Sequence, residues 1–237
     1  MENASKALIM AGSILFALLV IGTVTLMYNQ IASIQQTKSN AEEEAKFRNY
    51  SQKFEQYNKR IYGSELLSLA NLQLDYNYRQ ADLKGYVQIT INVQIKKGIS
   101  ENNKTYVPVG MQTVEAVKNG ISKLEEDISY YENDSNGYVN KKERNKRSVK
   151  YYAQLSNRQI ATLFEITYSS EETDYEIGDR LADSKQNPKT SNLLRDIELY
   201  KNLKTDYTEF KNTSFMCKSI QYDDNARVNA MNFVEEN

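Results

Sequence analysis

The sequence predicts an α+β protein: a long N-terminal helix, half transmembrane and half amphipathic, followed by an antiparallel sheet with flanking helices. Three observations carry that expectation. Ala7 to Met27 is apolar without a charge; Val87, Ile89, Ile91, Val93 and Ile95 alternate with polar residues; and helical apolar spacings recur on both sides of that strand.

At ~1.5 Å of rise per residue the run from Ala7 to Met27 spans the ~30 Å hydrocarbon core of a bilayer. A cleaved secretory signal is the competing reading. Its apolar region is shorter and ends in a small-residue cleavage site, whereas this run continues into Tyr28-Asn29-Gln30-Ile31. Tyr28 suits the membrane interface. Lys6 precedes the run, and the next basic residue is Lys38, so the positive-inside rule keeps the N-terminus cytoplasmic. The expected organisation is a short cytoplasmic tail or leader over residues 1–6, a transmembrane helix over 7–28, a helical stalk over 29–62 and an extracytoplasmic domain over 63–237. Within the apolar helix, Gly12, Ala17 and Gly22, with Ser13, are small residues that permit close helix approach; Gly12 and Ser13 are expected on the face of Ala17.

The stalk contains neither Gly nor Pro and is rich in Gln, Glu, Ala and Lys, which favour helix. Phe47, Tyr50, Phe54, Tyr57 and Ile61 form one stripe for packing onto a sheet, with a short coiled coil as the alternative. Gly63 is expected to end this helix, and Ser64 and Glu65 to open a shorter one over Leu66–Leu74. The strand Tyr86–Ile95 follows, with Tyr106–Val109 as an edge partner because Pro108 cannot donate to a ladder. Val114–Tyr131 reads as helix and Leu163–Tyr168 as strand. Thr190 or Ser191 is expected to cap a helix whose inner face runs through Leu193, Ile197, Tyr200, Leu203, Tyr207 and Phe210. A hairpin closes the chain, Phe215–Tyr222 with Arg227–Val234, its inward face undecided between Met216/Ile220 and Phe215/Cys217.

The 237 residues contain no histidine and one cysteine, Cys217, read as a small buried hydrophobe in a strand. This excludes histidine-based nucleophile systems, His-bearing zinc sites and a disulfide framework. The nine glycines make no phosphate-binding loop. Carboxylate-pair chemistry survives, with no pair singled out. No catalysis, small-molecule substrate or nucleic-acid partner is expected. The formal net charge of −1 gives no reason for a polyanion partner, and the basic run Lys141 to Lys150 reads as a solvated face. No cofactor is expected, calcium excepted. Glu132, Asp134, Asn136, Asn140 and Glu143 stand at positions 1, 3, 5, 9 and 12 of a segment with Gly137 at position 6. That spacing resembles an EF-hand loop. Position 1 is Glu rather than Asp, the Lys and Arg that follow repel a cation, and the same residues simply make a turn.

The layout of short tail, apolar helix, amphipathic extension and sheet with a closing hairpin is similar to type IV pilins, including Tad-type and archaeal-type pilin-like proteins. Phe47–Ile61, Gly63–Leu69 and Phe210–Phe233 also resemble hypothetical proteins of gut Firmicutes found near such systems. Lys6-Ala7-Leu8 looks like a class III signal-peptide site, which implies a mature start at Leu8. The glutamate usual inside the family's apolar segment is absent here, Glu2 lying before it. The resemblance implies a structural subunit or minor component of a surface filament or secretion system, whose partners are the lipid bilayer and other pilin-like subunits. A non-polymerising, membrane-anchored binding module is the alternative.

Overall fold

The computed structural model describes residues 2–79, 81, 86–133, 137–139 and 146–236; the side chains before Gly12, and that of Ser13, lie outside this description. The chain is α+β and forms two compact units, Met1–Lys53 with Asp82–Tyr86, and Phe54–Ala81 with Val87–Asn237.

The first unit holds all but the last two residues of α1 (Glu2–Glu55), a continuous helix of 54 residues. At ~1.5 Å per residue it is about 80 Å long, far more than a bilayer core requires. Among the described residues it is the one helix long and apolar enough to cross a membrane, and its apolar stretch is wholly uncovered. Thr23 and Thr25 return their hydroxyls to the carbonyls of Val20 and Ile21, so these polar groups cost little in an apolar medium. At about 100° per residue, Gly12 and Ala17 lie about 140° apart, as do Ala17 and Gly22. The three small residues therefore do not share one smooth side; Ser13 and Ala17, four residues apart, do.

The second unit is a five-stranded sheet with helices packed on it. Its elements are β1 (Arg60–Tyr62), α2 (Gly63–Arg79), β2 (Thr90–Ile95), β3 (Ile99–Glu101), β4 (Lys104–Val107), β5 (Gly110–Thr113) and α3 (Val114–Asn133). There follow β6 (Tyr138–Val139), β7 (Lys146–Arg147), α4 (Val149–Tyr152), α5 (Asn157–Leu163), α6 (Asp174–Ala182), α7 (Pro188–Asn212), β8 (Ser214–Tyr222) and β9 (Val228–Glu235). The sheet order is β1-β8-β9-β2-β5. The β2–β9 pair is parallel and the other neighbours antiparallel, so the sheet is mixed rather than wholly antiparallel. A parallel pair needs a crossover, and here almost the whole domain supplies it. The core lies between the helices and the face carrying Ile91, Val93, Ile95, Met231, Phe233 and Phe215, all fully buried or within 1% of it.

Several boundaries differ from the sequence expectation for identifiable reasons. The long helix stops at Glu55, and Ile61 lies in β1 opposite Phe215. The spacing 47, 50, 54, 57, 61 is thus shared by a helix, a turn and a strand, and the helical stalk does not reach residue 62. Gly63 opens α2 instead of closing the first helix: a Cβ there would lie 2.0 Å from the carbonyl oxygen of Phe210, so the residue is small for packing. Tyr106–Val107 pairs with β3, while the edge partner of β2 is β5. Leu163–Tyr168 is not a strand; α5 runs to Leu163, a turn follows at Phe164 and Glu165, and Ile166 onward joins no ladder. The Ser156 capping box starts α5, which takes Leu163 as its last residue, and the turn at Phe164 and Glu165, the latter at positive φ, interrupts any strand there. The last helix begins at Pro188 after Asn187, earlier than Thr190. Thr190 is buried, and its hydroxyl bonds the carbonyls of Leu181 and Asn187. The closing hairpin forms with Phe215 inward. A bulge between Cys217 and Ser219 then shifts the register so that Ile220, opposite Met231, shares that face. Both inward readings of this strand are therefore right for half of it.

Candidate functional site

Tyrosine hydroxyls and carboxylates organise the polar surface of the second unit. On α3 and α7, Tyr207 donates to Glu125 and Tyr200 donates to Glu132 at 2.9 Å. Both intervals are seven residues and run in opposite senses, so the two bridges clamp antiparallel helices two turns apart. Tyr138 donates to Asp196 at 2.7 Å, and Tyr106 donates to Asp127, which also accepts from Lys104 at 3.0 Å. Burial first, and the carboxylate partner second, raise the phenol pKa values of Tyr106 and Tyr138. Phenols that hold their protons this firmly act as fixed hydrogen-bond donors and are poor proton donors to a substrate.

Glu132, the first candidate calcium ligand, belongs to this set. Its Oε1 accepts from Tyr200 Oη and Lys204 Nζ, both at 2.9 Å, and its Oε2 lies 3.6 Å from Lys150 Nζ. The Lys204 hydrogen bond, then that of Tyr200, holds its carboxyl below the usual range, while the same bond raises Lys204. The carboxylate therefore already has two cations and a phenol as partners. Gly137 approaches a backbone: a Cβ there would lie 1.6 Å from the carbonyl oxygen of Arg147, across the β6–β7 pair. Asp134, Asn136, Asn140 and Glu143 lie outside the described residues, as do Lys141, Lys142 and Arg144 of the basic run. Among the described residues no group of three potential metal-binding side chains occurs. Of the described part of the basic run, Lys146 is exposed, Arg147 sits 5.0 Å over the Tyr151 ring and Lys150 lies 3.6 Å from Glu132; buried Tyr152, which follows the run, donates to the Tyr138 carbonyl at 2.9 Å.

Cys217 is half-buried rather than buried, with its thiol 3.7 Å from the Ser219 carbonyl, and burial raises its pKa. An open groove of about 650 Å³ lies between Phe164–Thr167 and Gln186–Thr190, with Arg180 beside it. The Arg180 guanidinium bonds Glu172 and the Thr167 carbonyl, so the groove's most prominent cation already has partners.

The third candidate region is α1. Lys6, Ala7 and Leu8 lie in its first turns, inside the continuous helix, and their side chains are outside the description. A Cβ added at Gly12 or at Gly22 would meet nothing within 4 Å, so no contact within the chain accounts for their small size. Exposed apolar side chains cover the helix from Ile14 through Ile34. Sequence reasoning finds this region through its hydropathy. It misses the tyrosine–carboxylate clamps, whose signal is only the matching seven-residue interval between partners far apart in the chain. Comparison with protein-family models, curated proteins and solved structures gives no match.

Proposed function

We propose that the chain is a pilin-like structural subunit, or a minor component, of a surface filament or secretion system, held in the membrane by α1 with its second unit outside the cell. The observation that carries this reading is the uncovered apolar surface of a helix far longer than an anchor needs. An aqueous protein does not leave such a surface bare, so it belongs against lipid before assembly and against other helices after it. Lys6 before the apolar run and the delay to Lys38 support a cytoplasmic N-terminus. The tyrosine clamps support a structural role: the polar groups that a catalytic site would use are tied to one another. The open groove beside Arg180 favours the second reading, a membrane-anchored binding module that does not polymerise.

Shearing cells that express the chain with its assembly genes separates the two readings. The subunit reading expects the wild type in the sheared filament fraction. Leucine at Ala17 or at Gly12 is expected to leave the protein membrane-inserted while lowering that recovery about tenfold or more. The residue whose substitution abolishes recovery marks the packing side, since the two positions face different directions. No sheared material from the wild type would overturn the subunit reading.

A further inference from the structure

The apolar face of α1 does not end where the membrane does. Val20, Val24, Met27, Ile31 and Ile34 follow one another at intervals of 4, 3, 4 and 3, and each is between 42 and 66% exposed. In the membrane-level half this pattern would carry little weight, because every side is apolar there. The segment from Asn29 to Lys46 is otherwise polar, and it decides the matter. Its apolar residues are Ile31, Ile34, Ala41, Ala45 and Ala32, and all but Ala32 continue the same 3-4 rhythm. From Ala17 to Ala45 the seam lasts about four heptads. A straight α-helix drifts ~20° per heptad from a seven-residue repeat, so a seam kept this long suits a left-handed pair of helices and not a flat lipid or protein surface.

We infer that α1 pairs in parallel and in register with α1 of a second copy of this chain, along the seam through Val20, Val24, Ile31 and Ile34. A second copy is the occupant that the seam specifies. The stripe passes from the lipid-level segment into the aqueous segment without a break, so the partner must be a helix that crosses the same boundary at the same height. A copy does so by construction. β-Branched residues at the first core position, here Val24 and Ile31, favour two strands in parallel coiled coils. The one charge on the seam, Lys38, occupies the next such position, where a single polar residue fixes register. Glu42, one turn on at the flanking position, supplies the countercharge. The buried residues farther along α1, Phe47 and Phe54, stand off this seam and leave it free. The inference rests on the membrane reading of α1 and does not require filament assembly.

Full-length chain carrying Cys217→Ser and one new cysteine tests it, in membranes of a host with no filament machinery. Oxidation should give disulfide-linked dimer at Ile31→Cys and Ile34→Cys several-fold above Ser33→Cys and Gln36→Cys, which lie off the seam. Equal cross-linking at all four positions, or none at the seam, would overturn the pairing. Cross-linking of Ile31→Cys to Ala41→Cys in a co-expressed copy, exceeding that of Ile31→Cys to itself, would replace register with an axial offset. Release of the chain by alkaline carbonate would overturn the membrane reading beneath it.

Discussion

Phe54→Ala is expected to cost about 3–5 kcal/mol of folding stability, enough to unfold much of the second unit under mild denaturant. Phe54 has no exposed surface, and its ring meets Tyr76 edge-on with centroids 6.0 Å apart. Truncation removes the ring and leaves a cavity in a close-packed site. Urea unfolding of the detergent-solubilised chain, followed by tyrosine fluorescence, should show the midpoint fall by a large fraction of its wild-type value. Tyr175→Ala gives the contrast. Tyr175, on α6, is 76% exposed, so its loss should change stability in the same experiment by less than about 0.5 kcal/mol. Equal effects would mean that the core does not include the end of α1.

Gly120→Ala is the second large effect, although it adds a single methyl. Gly120 is buried in the middle of α3, where glycine is a poor choice on propensity alone and alanine would gain about 1 kcal/mol. A Cβ there would lie 1.9 Å from the carbonyl oxygen of Tyr106 and 2.8 Å from its carbon. Those are backbone atoms of β4, so no side-chain rotation relieves the overlap, and the helix and strand must move apart. The net loss is expected at about 2 kcal/mol or more, against a gain at Gly22→Ala, where nothing lies within 4 Å. Thermal unfolding that leaves Gly120→Ala as stable as the wild type would contradict the close approach of α3 and β4.

These two sites also mark what could be read from the sequence. The alternation through Ile91, Val93 and Ile95 and the spacing through Val117, Ile121, Leu124 and Ile128 were legible because each reports one face of one element. The α+β class and the long apolar helix follow from such local periodicities. Phe54 was legible as a core residue, but the end of its helix was not. The spacing continues through Tyr57 to Ile61 while the backbone turns and becomes β1. Periodicity reports which residues are buried and is silent when two kinds of element share one rhythm. Pairing partners are less legible still. The parallel contact of Asn92 with Asn232 joins residues 140 apart, and nothing near either one announces it. The hairpin strand defeated a single inward assignment because its bulge changes face after Cys217.

The candidate functional regions divide in the same way. The uncovered surface of α1 is a property of composition and was visible at once. The clamps Tyr207–Glu125 and Tyr200–Glu132 depend on how α3 meets α7, which composition does not encode. Glu132 shows the difference at one residue: its spacing resembles a cation ligand, whereas its contacts are a tyrosine and two lysines.

A subunit of a surface filament and an anchored binding module both require the second unit to lie outside the cell. The direct measurement places one cysteine at Asp224→Cys, in the exposed turn of the closing hairpin, with Cys217→Ser removing the native thiol. A membrane-impermeant maleimide is then added to intact protoplasts. Labelling of intact protoplasts is expected to equal that after lysis. Labelling that appears only after lysis would place the second unit in the cytoplasm and contradict both functions.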